Sequence, residues 1–356
     1  MSIDWTASMQ QTFEYYVVDP ATWKDKEKLD TVISCTITYD SEAESLGSAS
    51  FEVTDTLGEC YIRPYLVAIQ NGETYRFPLG CYLVQTPSST YDGKVRKVTM
   101  DAYTPLIELK EKQPPLGYSV LKGETIMDLA YELTRENVRA PVVEPKSDEV
   151  IGYDFVANTD DTWLSFLTDF MSSAKYEYAL DEVGRVLFSP KKETRTLQPV
   201  WTFTDDNSSI LEADISMDHD LYGIPNVVEV IYTSTYNHFY AKVTNDDPNS
   251  PTSTVNRGRE ITQRSSDPSF SGEPTQEQIE LYAEKLLEEA STVEYSITYT
   301  HGYCPVRIGD CVRINYTRAG LTDIKAKVIS QDVKCSTGCT VSEKAVYTTK
   351  LWESDK

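Results

Sequence analysis

The chain is expected to be α+β and mainly β, with two barrel-like β domains and an inserted α/β helix–hairpin module. Three observations predict this. Up to about Gln113, short runs of β-branched and aromatic residues alternate with turn dipeptides. From about 120 to 195 the apolar spacing turns helical twice and then becomes a hairpin pattern. Beyond that block the strand pattern resumes, interrupted by one helix. The 24 tyrosines, with plentiful Thr, Val and Ser, suit half-buried strands. A length of 356 residues exceeds one small core, so domains are placed at 1–115, 116–200 and 201–356. The Pro114-Pro115 pair marks the first boundary.

In the first domain, strands are expected at 32–39, 50–53, 66–69, 80–84 and 95–102. Asn71-Gly72 is a strong hairpin-turn dipeptide, and Tyr91-Asp92-Gly93 supplies a second turn. In the second domain, Ile126, Leu129, Ala130 and Leu133 share one helical face behind Thr125 as N-cap, with Asp128 three residues on. Trp163, Phe166, Leu167, Phe170, Met171 and Ala174 form a second stripe, behind Thr159 as N-cap and two acidic first-turn residues. A hairpin then turns through Asp181-Glu182-Val183-Gly184. The third domain opens with strands at 210–217 and 226–232. Asp, Asn, Ser, Pro and Gly crowd 245–274, which reads as a long loop. A helix at about 275–291 starts with a T-x-x-Q capping box and buries Ile279, Ala283, Leu286, Leu287 and Ala290. Glu277, Glu280, Glu284 and Glu288 fall on its wet side, and strands follow at 293–300, 306–314, 325–333 and 346–352.

Composition narrows the function. A net charge of -23 disfavours nucleic-acid binding, which needs clustered Lys and Arg. No apolar run reaches the ~20 residues that span a bilayer, and the first ten residues lack the features of a signal peptide. No membrane anchor is therefore expected, and synthesis and folding are assigned to the cytoplasm. Seven scattered cysteines, an odd number, argue against a closed disulfide framework.

No catalytic residue is nominated. Asp214, Asp218 and Asp220 near His219 could pair as carboxylates, but in so acidic a chain they read as a solvated strand end and turn. His219, His238 and His301 sit in no H-E-x-x-H, and G-x-S-x-G and P-loop motifs are absent. Cys60 or Cys81 with His219 or His301 carries no peptidase signature. His301-x2-Cys304-x6-Cys311 with Cys335-x3-Cys339 could hold zinc, yet the spacing is not that of a knuckle and Cys311 shares a strand with Val312 and Ile314. No metal and no cofactor is assigned. Trp163, Phe166 and Phe170 could line a groove, although a stripe at this spacing is more often core. The 245–274 segment is either a receptor-contacting loop or a tolerated insertion.

From Gly123 onward one ordered series stands out. It begins G-E-T-I-M-D-L-A, D-D-T-W-L-S-F-L and Y-A-L-D-E-V-G-R-V-L-F. It continues I-P-N-V-V-E-V-I-Y and S-P-T-S-T-V-N-R-G-R-E-I, and ends A-E-K-L-L-E-E-A and P-V-R-I-G-D-C-V-R-I. In this order, over more than half the chain, the series resembles the baseplate or tail-tip hub proteins of tailed phages and related contractile systems. The resemblance implies two barrels of similar shape per chain, so that three chains present six barrels to a six-fold tail tube. It implies a homotrimer at the virion tail tip, assembled in the host bacterial cytoplasm. The implied partners are the distal tail ring protein, the tape-measure protein and a tail fibre or spike, with DNA met only in transit. Larger relatives carry a hydrolase or spike after the hub. Here the chain stops at Lys356, shortly after Trp352, so a structural protein and not an enzyme is expected. The rival readings are a β-rich cell-wall hydrolase and a carbohydrate-binding adhesin. If the wet-side assignment is right, Glu280→Ala or Glu284→Ala shifts unfolding by no more than about 0.5 kcal/mol in a urea titration.

Overall fold

A computed structural model describes residues 3–91, 93, 96–192, 194–206, 209–266, 268–270 and 272–354. The strands of the first third are β1 (Gln10–Asp19), β2 (Lys24–Lys28), β3 (Val32–Asp40), β4 (Gly47–Val53), β5 (Tyr61–Gln70), β6 (Glu73–Pro78), β7 (Tyr82–Tyr91) and β8 (Arg96–Tyr103). Next come α1 (Ile107–Lys110), β9 (Ser119–Val120), α2 (Ile126–Asn137), β10 (Phe155–Val156), α3 (Trp163–Ser172), β11 (Tyr176–Leu180) and β12 (Val186–Pro190). The chain continues with β13 (Pro199–Thr204), β14 (Leu211–Asp218), β15 (Val227–Thr233), β16 (His238–Thr244), α4 (Thr254–Arg257), β17 (Thr262–Ser266) and α5 (Gln276–Ala290). It ends with β18 (Thr292–Gly302), β19 (Cys311–Tyr316), β20 (Leu321–Cys335) and β21 (Thr340–Lys350). The mainly β, α+β character is as expected. Asn71 and Gly72 both take positive φ between β5 and β6, as a tight hairpin turn requires. Asp92 in the second expected turn, and Val95 at the expected start of β8, lie outside the described residues.

Two compact units emerge, one of 1–215 with 298–345 and the other of 216–297 with 346–356. The main sheet has 14 strands in the order β14-β18-β21-β20-β3-β4-β8-β7-β5-β1-β2, with β6 also on β5 and β13 reaching β20 through β19. It is open, not closed into separate barrels. The physical reason is β20, 15 residues long. Its first half, Leu321 to Lys327, pairs with β19. Its second half, Ser330 to Cys335, pairs with β3, so the two β-regions share one ladder. Alternation along these strands buries Ile37, Phe51, Val53, Leu66, Leu83, Val98 and Met100.

The helical module shares one core with the first β-region, its Met127, Leu167 and Phe170 clustering with Val18, Trp23, Tyr61 and Leu83. Helix α2 buries Ile126, Met127 and Ala130, while Leu129 and Leu133 are only half-buried. Its N-cap is Thr125, but the side chain makes no capping bond; Glu149 O accepts from Ile126 N instead. Helix α3 is not capped at Thr159 as expected. Thr162 caps it, Oγ1 accepting from Ser165 N at 3.1 Å while Ser165 Oγ accepts from Thr162 N at 3.0 Å. The start is displaced because Asp161 turns back to accept from Asn158 N at 2.7 Å, holding 158–161 in a loop.

The β11–β12 hairpin docks by its turn. Val183 O accepts from Trp23 Nε1 at 2.8 Å and from Arg63 Nη2 at 3.0 Å, and Glu182 O accepts from Gly80 N at 2.8 Å. Gly184 holds φ +79°, and a Cβ there would lie 2.4 Å from Cys81 Cβ. Both backbone and space therefore demand glycine.

In the second unit, α5 covers one face of the β16-β15-β17 sheet, packing Ile279, Ala283 and Leu287 on Val228, Val230 and Ala241. The expected capping box is present, with Thr275 and Gln278 exchanging side-chain-to-backbone bonds. Leu286 and Ala290 are half-buried, as are Glu284 and Glu288; Glu280 is exposed. Glu284 accepts from Ser354 Oγ at 3.2 Å, so the wet face is partly covered. The expected long loop at 245–274 contains α4 and β17, the latter parallel to β15. Composition hid them because its Asn and Ser side chains bond inward rather than to water. Gly184→Ala is expected to lower unfolding free energy by about 2–4 kcal/mol in a denaturant titration.

Candidate functional site

A buried polar cluster inside the first unit is built by three adjacent strands. Strand β18 contributes Tyr299 and His301, β20 contributes Gln331, and β21 contributes Glu343. Each occupies a position that the alternation of its strand assigns to the core: β21 buries Val341, Glu343 and Ala345 in turn. Glu343 is 1% exposed and His301 0%. One carboxylate oxygen, Oε2, accepts from Tyr299 OH at 2.6 Å, and the other accepts from Gln331 Nε2. Gln331 Nε2 also donates to Val306 O at 2.9 Å. His301 Nδ1 donates to Gly302 O at 2.6 Å, and its Nε2 lies 3.1 Å from Glu343 Oε1, near enough for an ion pair though not aligned as a hydrogen bond. The Phe203 ring packs 4.7 Å from the imidazole. Burial, reinforced by the Glu343 carboxylate, pushes the Tyr299 phenol well above its ordinary range.

This arrangement suits holding strands rather than reacting. A catalytic carboxylate needs an approach for substrate, whereas both oxygens of Glu343 are taken by neighbouring strands. None of Tyr299, Gln331 and Glu343 was singled out from sequence. The available signal was a polar residue falling on the apolar phase of a strand.

The clusters weighed from sequence are dispersed. Asp214 is exposed on β14, and Asp218 ends that strand. Asp220 accepts from Tyr222 N, and the His219 ring packs 4.1 Å from that of Tyr295. Cys304 Sγ sits 3.8 Å from His301 Nδ1, its thiol pushed up by burial. Cys311 is buried at the start of β19, and Cys335 faces Cys35 across the β3–β20 ladder. Among the described residues no three His, Cys, Asp or Glu side chains converge as a metal site. Trp163, Phe166 and Phe170 are buried against Tyr118 and Phe155 as core. A polar groove beside the start of α3, lined by Glu44, Lys110, Asn158, Asp161 and Ser165, is already bridged by the 2.8 Å Lys110–Glu44 pair.

In the second unit a buried amide organises the 245–261 segment. Asn226 Oδ1 accepts from Ile261 N at 2.7 Å, and Nδ2 donates to Thr252 O and Arg259 O, both at 3.0 Å. Asn245 Nδ2 donates to Ser250 Oγ at 2.9 Å. Arg257 donates to Ile224 O at 2.8 Å and Leu221 O at 2.6 Å. The S-P-T-S-T-V-N-R-G-R-E-I stretch is thus the hydrogen-bonded wrap around Asn226.

No family model matches the chain, and no curated protein does. Solved structures do match over nearly its whole length, and two of them are tail proteins. The tail protein from Neisseria meningitidis MC58 is similar with a TM-score of 0.60 and 14% identity, covering 94% of this chain and 97% of that one. The 43 kDa tail protein of prophage MuSo2 from Shewanella oneidensis is similar with a TM-score of 0.57 and 12% identity, covering 94% and 98%. The chain therefore has the fold of these tail proteins. Glu343→Ala, which strands the Tyr299 hydroxyl, the Gln331 amide and His301, is expected to cost about 3–5 kcal/mol in a urea titration. Asn226→Ala removes three bonds from a buried amide to backbone and is expected to cost about 2–4 kcal/mol on the same measurement.

Proposed function

We propose that this chain is a non-enzymatic structural protein of a phage tail, a homotrimeric hub at the tail tip. It joins the tail tube to the distal tip or spike and lines part of the DNA exit channel. The observation that carries the reading is the fold shared with two tail proteins over at least 94% of each chain. The two β-regions, with the module of 116–200 between them, each present one tube-facing unit of the shared sheet, so three copies offer six similar units to a six-fold tube. The distal tail ring lies above, the tape-measure end within, and fibres or a spike below. A net charge of -23 suits a conduit, since acidic walls repel passing DNA rather than retain it.

Light scattering over a concentration series tests the trimer. The expected mass is three times 40.3 kDa, with rings visible by negative-stain imaging. A monomer at every concentration, without rings, overturns the homotrimeric hub.

A further inference from the structure

We infer that Cys35 and Cys335 are a latent cross-strand disulfide, a modification site that staples the β3–β20 seam when the chain meets an oxidising medium. The pair is set by register: Cys335, the last residue of β20, lies directly opposite Cys35 in the antiparallel ladder. Directly opposed residues bring their Cα atoms to about 4.5–5.5 Å. Disulfides span about 4.4–6.8 Å, so no strand has to shift. Both thiols are free and buried on the same side of the ladder. The neighbouring Cys35 thiol, together with burial, pushes the Cys335 thiol well above its ordinary range.

The neighbours explain why this pair forms. Cys339 is also buried beside Cys335, but it follows the 336–338 turn and holds a positive φ of 37°. A bond between them would close a small loop across that turn, whereas the Cys35 bond spans strands already in register. Access comes from the strand end. Beyond Cys335 the ladder stops, and the turn is held by Cys339 N donating to Ser336 O at 2.9 Å. Opening that end exposes Cys335 first. Upstream the seam is held by Ser41 N donating to Ile329 O and by Thr38 Oγ1 donating to Asp332 Oδ1.

The oxidant is a small-molecule disulfide such as oxidised glutathione. Once the strand end opens, Cys335 loses its proton to water and its thiolate attacks the oxidant, an S–S bond forms to Cys335, and one glutathione leaves as thiolate and takes up that proton. The Cys35 sulfur then attacks Cys335 in that mixed disulfide, and the second glutathione leaves with the second proton. Two protein thiols and one glutathione disulfide become one protein disulfide and two glutathione thiols. The loop so closed joins an early strand to a late one, the geometry in which a cross-link constrains the unfolded chain most. The inference is independent of the tail reading, because the register fixes the pair whatever the chain assembles with.

The test incubates the full chain with oxidised glutathione, warmed to just below its melting transition, followed by intact mass and non-reducing peptide mapping. The expected product is lighter by two hydrogens and carries a Cys35–Cys335 linkage. Its unfolding equilibrium constant should fall about tenfold or more, and reduction should reverse this. Cys339→Ser should leave the linkage intact, whereas Cys35→Ser and Cys335→Ser should each abolish it. A map showing no Cys35–Cys335 peptide, or a Cys335–Cys339 linkage in its place, overturns the inference. Because the mapping is done on the natural sequence, the result stands even where a variant fails to fold.

Discussion

The structure depends on β20, which pairs with β21 and also with β19 and β3 in succession. Over its first half it ladders with β19, and over its second half with β3, almost three hundred residues away in sequence. Each residue of a strand has one donor and one acceptor to place, and a strand of 15 residues offers more of them than β19 can use. The remainder pairs with β3. What would have been two separate edges becomes one interior ladder, and exposed strand edges are the usual liability of β proteins. The sheet order, the burial of Ile37 and Val333 and the meeting of Cys35 with Cys335 all follow from that pairing.

Around this ladder, polar side chains fix positions that apolar packing alone leaves interchangeable. Glu343 joins β18, β20 and β21 through Tyr299, His301 and Gln331. Arg63 does the same for the hairpin: its Nη1 meets Asp25 Oδ1 at 2.7 Å, while Nη2 reaches Trp23 O and Val183 O. Asn226 ties the 245–261 segment of the second unit. In each case the desolvation of the buried group is offset only if nearly all its partners are present. Such groups contribute little net stability, but they penalise every register in which the partners are missing. A protein that passes force or a conduit through its body benefits from one arrangement rather than several, in keeping with the proposed role in a tail.

The sequence by itself determined the elements whose signals are local. Thr275 with Gln278 announced the start of α5, Asn71-Gly72 the β5–β6 turn, and the stripe from Trp163 to Met171 the buried face of α3. Their physics lies within a few residues, in capping bonds, left-handed backbone and helical spacing. The ordered motifs also pointed to the tail-hub resemblance, in agreement with the fold of the two tail proteins. The N-cap of α3 was misplaced by three residues because Asp161 made a competing local turn that Thr159 and its acidic neighbours resemble on paper. Tertiary structure alone decided the rest. Glu343, Gln331 and Tyr299 look like ordinary strand residues until three strands bring them together, and 245–274 looks like loop until Asn226 satisfies it. The fusion of two expected barrels into one open sheet rests on a pairing between Val333 and Ile37. Two residues so far apart leave no trace in any window of sequence, since a ladder bond constrains backbone atoms that every residue shares.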